Sequence, residues 1–156
     1  MDTAYTEKQK NDPTLILATT YFDGHLYLVA TEKKRMEFPE LLKFIPTFVH
    51  QHGFDVRTKI VIEPKASGQS VGQQLKKETA FNVLFSNPPT DDKLTRATSV
   101  APFCEAMRII LVEGDWNEDF VGQLTTFPNA KHDEEVDVLV MAIQDNVKQQ
   151  QRKPIY

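Results

Sequence analysis

The sequence predicts an α/β domain in which a mixed β-sheet is flanked by helices on both faces. Three observations carry this prediction. Two β-rich runs, TLILATTYF (14–22) and HLYLVATE (25–32), are separated by Asp23-Gly24, a strong short-range hairpin signal. Three further apolar runs of strand length follow, at 59–63, 82–87 and 107–113. Helical patterns alternate with them. A hairpin followed by such alternation gives a mixed sheet with helices on its faces, and reactive groups in such sheets gather at strand ends and adjoining helix termini.

Each element has its own signal. FPELLKFIPTFVHQHG (38–53) carries a helical stripe of Leu41, Leu42, Phe44, Ile45, Phe48 and Val49, with Pro39 near the start and Gly53 as the stop. Pro46 within it predicts a kink or a split. KIVIE (59–63) reads as a buried strand, SVGQQLKKETA (70–80) as a short helix and NVLFSN (82–87) as a strand. The segment 90–106 predicts a helix capped at Thr90 or Asp91 and bent near Pro102. MRIILVE (107–113) is a strand, and 115–128 holds a short helix in which Trp116, Phe120 and Phe127 serve as core. The last helix, 133–147, aligns Val136, Leu139, Val140, Ile143 and Val147, and residues 148–156 form a polar tail.

Composition bounds the function. A chain of 156 residues with 40% apolar and 26% charged residues predicts one domain with a substantial core, residues 1–147. No apolar run reaches the ~20 residues of a membrane span, and the first residues have no apolar stretch of a signal peptide. The single cysteine, Cys104, excludes an internal disulfide framework and a multi-cysteine zinc site; it reads as inert packing, and a reducing cytoplasm is the expected setting. A net charge of −4 argues against a domain that grips nucleic acid by itself, but it is compatible with acidic ligands for a metal.

Two acids break the apolar pattern. Glu63 ends a strand of Ile60, Val61 and Ile62, and a buried carboxylate there needs an arginine, a shared proton, a metal ion or a lysine such as Lys65. Asp137 is the only polar residue between Val136 and Ile143, which points it into the structure; Asp133 lies one turn earlier on the same face, with Glu134 close by. Several converging carboxylates repel one another, and a hard cation resolves the conflict. Two such ions about 4 Å apart form the template for phosphodiester cleavage. The competing reading is a set of paired or capping acids.

Four fragments, DTAYTEKQKNDPT, IEPKASG, DKLTRATSVAPFCEA and FPNAKHDEEVDVLVMAI, occur in an order and spacing that resembles the C-terminal nuclease domain of phage terminase large subunits over about residues 1–145. The resemblance implies a ribonuclease H-like fold and metal-dependent endonuclease cleavage of concatemeric double-stranded viral DNA. It implies that Asp2, Glu63, Asp133 and Asp137 hold two Mg2+ or Mn2+ ions, and it leaves open whether Asp133, Glu134 or Asp137 is the last-helix ligand. Lys65, Lys93 and Arg96 are expected phosphate contacts, with solvated charges as the alternative. His132 is read as a surface histidine or a proton carrier.

The implied partners are the terminase ATPase domain, the small terminase subunit and the portal, with the domain itself a monomer in the host-cell cytoplasm. Only Met1 precedes Asp2, where the family has a full strand, so the first strand is expected to be truncated. No GxxxxGK[ST] phosphate loop is present, so the ATPase half is not expected in this chain. A catalytically silent remnant or docking module with the same fold is the alternative.

Overall fold

The computed structural model describes residues 13–65 and 67–151. Asp2 and the DTAY segment lie outside them. The elements run β1 (Thr14–Phe22), β2 (His25–Lys34), α1 (Phe38–Gln51), β3 (Lys59–Ile62), α2 (Ser67–Glu78), β4 (Asn82–Phe85), α3 (Lys93–Glu105), β5 (Ile109–Leu111), α4 (Asn117–Thr126) and α5 (Glu134–Gln151). The chain is mixed α/β, as the alternation of patterns predicts. Among the described residues its strands form a three-stranded set, β1-β2-β5, and a two-stranded set, β3-β4. Among the described residues the contacts divide the chain into two compact units: residues 13–14 with Lys33–Pro89, and Leu15–Glu32 with residues 90–151.

The first unit holds α1, β3, α2 and β4. β3 and β4 are parallel, with Lys59 opposite Asn82 and Ile62 opposite Phe85. Parallel neighbours need a crossover, which α2 provides while packing on both strands and on α1. The expected buried strand is a correction: Ile60, Val61 and Ile62 are half-buried, because each strand of a two-stranded set is also an edge. α1 is continuous through Pro46 and is not split. Its buried Leu41 and Ile45 on one side of the proline, and Phe48 and Val49 on the other, anchor both halves, so tertiary packing outweighs the local penalty.

Gly68 and Gly72, one turn apart on α2, let that helix approach the strands closely. A Cβ at Gly68 would strike the Glu63 carbonyl oxygen, and one at Gly72 would strike the Phe85 ring. Lys76, a further turn on, lies 4.7 Å above the same ring.

The second unit is built on the hairpin. Asp23 (φ 47°) and Gly24 (φ 78°) both adopt the left-handed region, which a two-residue turn between twisted strands requires. β2 alternates, burying Leu26, Leu28 and Ala30. β5 pairs with it in parallel, Leu26 opposite Ile109 and Leu28 opposite Leu111. The core joins Leu26 and Leu28 to Val100 of α3, Phe120 of α4, and Val136, Leu139, Val140 and Ile143 of α5. Trp116 and Phe127 pack against it, which is the core role expected of them.

β5 is shorter than predicted, because Met107 takes a φ of 54° and closes α3 before the strand begins. α3 is continuous through Pro102, and α5 runs past the predicted end at Val147 to Gln151. Cys104 corrects the packing prediction. The residue is exposed, although partial burial of its thiol, followed by the Glu105 charge, pushes the pKa up and keeps the sulfur protonated. Among the described residues no helix is long and apolar enough to cross a membrane.

Candidate active site

The site grows from the start of two helices in the second unit. α3 is capped by Asp92, not by Thr90 or Asp91: its carboxylate accepts from the Thr95 backbone N–H at 2.9 Å and from Thr95 Oγ1 at 2.8 Å. Capping there makes Lys93 the first helical residue and sets Arg96 three residues on, so the two cations share a face. α5 opens at Asp133, whose carbonyl accepts from the backbone N–H of Val136 at 3.1 Å and of Asp137 at 3.4 Å. α3 and α5 pack together, which brings the two charged helix starts into register.

There Lys93 Nζ donates to Asp133 Oδ1 at 2.5 Å and meets Asp137 Oδ2 at 2.6 Å. Arg96 Nη2 donates to Asp137 Oδ1 at 3.1 Å. One ammonium thus bridges two carboxylates from consecutive turns, and a guanidinium holds the second from the other side. Burial works to lower the Lys93 pKa, and the hydrogen bonds and charges of Asp133 and Asp137 outweigh it, so the net shift is upward. Arg96 Nε is buried and has no hydrogen-bond partner among the described residues.

Asp137 is therefore only half-buried, its side chain 31% exposed and turned toward α3. The buried acid of this helix start is Glu135, 5% exposed. The sequence carried a signal for it, since Glu135 lies four residues before the core Leu139 and next to Val136, on the edge of the apolar stripe. Glu134 faces His132, with Oε1 3.6 Å from Nδ1; His132 is half-exposed, as a surface histidine would be.

Glu63 and Lys65 belong to the first unit. Glu63 follows the last residue of β3, and its Oε1 lies 2.7 Å from Lys65 Nζ, the lysine partner being one of the alternatives open to a strand-end acid. Gly68 N–H donates to the Lys65 carbonyl at 2.8 Å, closing the turn between this strand end and α2.

Glu63, Asp133 and Asp137 are thus each paired with a cation expected to meet phosphate. Among the described residues, no group of three or more His, Cys, Asp or Glu side chains gathers in a metal-holding arrangement. Asp133 and Asp137 do offer two hard carboxylates converging on one point, a donor set that fits part of a Mg2+ or Mn2+ site.

The profile of the terminase RNaseH-like domain family matches residues 1–146, and the chain belongs to that family. Neither a curated protein nor a solved structure matches it.

Proposed function

We propose that this chain is the metal-dependent endonuclease domain of a viral DNA-packaging terminase large subunit, cutting concatemeric double-stranded DNA by hydrolysis of phosphodiester bonds. The observation that carries the reading is the meeting of the Asp133 and Asp137 carboxylates at one cationic atom, in a chain of the terminase RNaseH-like family. Asp133 and Asp137, with Asp2 and Glu63, would hold two Mg2+ or Mn2+ ions. Bound there, such ions would activate the attacking water and stabilise the leaving oxygen. The protein's own side chains hold the acids in place: Lys93 bridges Asp133 and Asp137, Arg96 holds Asp137, and Lys65 pairs with Glu63. Lys65, Lys93 and Arg96 stand beside those acids, so a phosphate brought to the acids meets cations at once. A terminase ATPase domain, a small subunit and the portal are the proposed assembly partners in the host-cell cytoplasm, with the domain a monomer.

The pairing of Glu63 with Lys65, and of the aspartates with Lys93 and Arg96, favours a second reading, a non-catalytic docking module in which these acids are structural. Supercoiled-plasmid nicking in Mn2+, Mg2+ or EDTA, with Glu63→Ala and Asp137→Ala alongside, separates the two. Metal-dependent nicking abolished by either substitution supports the nuclease. Absence of cleavage by folded protein in every metal supports the docking module.

A further inference from the structure

Lys93 occupies the position that a ligand to both aspartates would take. Its ammonium lies 2.5 Å from Asp133 Oδ1 and 2.6 Å from Asp137 Oδ2, while Arg96 Nη2 donates to the other Asp137 oxygen, Oδ1, at 3.1 Å. Two carboxylates facing one ammonium and one guanidinium make a locally neutral cluster. A divalent cation added to that cluster without any rearrangement would leave an excess of two positive charges within a few ångströms, in surroundings that screen less than water. Something must therefore leave, and the two cations differ in how freely they can.

The Arg96 side chain is 17% exposed, with a planar head and Nε buried. The Lys93 side chain is 27% exposed and carries a compact charge on a flexible four-carbon stem, at the first position of its helix. Moving Lys93 into water costs it little solvation, whereas moving Arg96 would open the packed face between α3 and α5.

We infer that Lys93 is the resident counter-ion of Asp133 and Asp137, holding the two carboxylates together in the metal-free domain and giving way to a divalent cation, while Arg96 keeps Asp137 oriented in both states. This rests on the metal-binding reading above. Without Lys93 the apo domain carries two repelling carboxylates, so it melts lower. The same change removes the competitor, so metal binds more tightly. The two effects have opposite signs, and a residue that merely stabilised the fold, or one that helped hold the metal, would not produce both.

The test uses the full chain and its Lys93→Met variant, with Mn2+ alone as the probe. Melting is recorded in EDTA and in Mn2+, and Mn2+ affinity is read from the loss of the free-ion electron paramagnetic resonance signal. Lys93→Met is expected to melt below the parent chain in EDTA, to gain more from Mn2+, and to bind it about 10-fold more tightly, the scale of one charge-assisted hydrogen bond no longer broken on binding. Equal or weaker Mn2+ affinity in the folded variant overturns the inference and leaves the metal reading standing. No Mn2+ bound by either chain overturns both. If Lys93→Met does not fold, a Mg2+ titration of the parent chain decides by lysine ammonium nuclear magnetic resonance. A Lys93 signal that moves to the position of a solvated ammonium as Mg2+ saturates supports displacement; an unchanged signal overturns it.

Discussion

Gly68 lies directly against the backbone carbonyl of Glu63, so the helix that follows the strand end is seated on the residue that carries the acid. A Cβ at position 68 would also press on Ile62 Cγ2 at 3.3 Å, and neither a carbonyl nor a packed methyl group yields easily. Gly68→Ala is expected to cost about 1–3 kcal/mol, the range of overpacking in a close-packed contact, and to displace Glu63. Gly72→Ala, against the Phe85 ring, should cost a similar amount. Gly122 is the control: a Cβ there meets nothing within 4 Å, and its place inside α4 means that alanine should stabilise by about 0.5–1 kcal/mol. Urea unfolding of the three variants checks this, and a neutral Gly72→Ala would show that α2 can ride away from the strands.

This glycine pair shows where the sequence could and could not be read. Alternation, hairpin chemistry and apolar stripes are properties of neighbours along the chain, so the order of elements and the core of Phe120, Val140 and Ile143 were legible. The Asp92 cap was missed because Thr90, Asp91 and Asp92 are all good caps, and only the packing of α3 chooses among them. The site was legible as residue types and not as pairings. Lys93, Arg96, Asp133 and Asp137 stand out in sequence, yet the ion pairs between them span some forty positions and depend on how α3 meets α5. Glu135 sits on the edge of the apolar stripe, but Asp137 is the stronger sequence signal because it interrupts a longer apolar run.

Lys65 and Arg96, each paired with a candidate acid in its own unit, should respond differently to truncation. Lys65, 63% exposed, pairs with Glu63 at the surface, and Lys65→Ala should change stability by less than about 1 kcal/mol. Arg96 is largely buried and holds Asp137, so Arg96→Ala should cost about 1–3 kcal/mol, between the values of exposed and buried pairs. Denaturant midpoints measured side by side give the comparison. Equal losses would mean that Arg96 contributes no more than a surface charge.

The end of α3 holds a stabilising change in reserve. Arg108 N–H donates to the Phe103 carbonyl and Met107 N–H to the Cys104 carbonyl, both at 3.0 Å. This double-bonded helix stop normally has glycine at the position Met107 occupies. Arg108 fixes the stop by stacking 4.9 Å over Phe103 while donating to the Gly24 carbonyl and the Tyr21 hydroxyl, each at 2.8 Å. Met107 is 82% exposed and loses no packing if removed, so Met107→Gly should stabilise by about 1 kcal/mol through relief of its positive φ. Arg108→Met should destabilise by about 1–3 kcal/mol, since it leaves two part-buried acceptors with fewer donors. Thermal melts of both variants test the assignment, and a destabilising Met107→Gly would contradict it.

The cap of α3 gives the domain a defined acid response. The Thr95 backbone N–H, and then its hydroxyl, hold the Asp92 carboxyl below its ordinary value of 3.8. A carboxylate whose pKa is lower in the folded chain contributes stability that is fully present above the unfolded value and is lost as pH falls through the folded one. Asp92→Ala should therefore melt below the parent chain at neutral pH, with the gap closing once the pH drops below about 4. Asp92→Asn keeps a neutral acceptor that caps as well as aspartate. It should match the parent at neutral pH and exceed it in acid, because it has no charge to lose. Melting temperatures across this range, for the three chains in one buffer series, decide the matter. A gap between the parent and Asp92→Ala that stays constant into acid would show that the charge of Asp92 contributes nothing and that the shape of the cap alone holds the helix start.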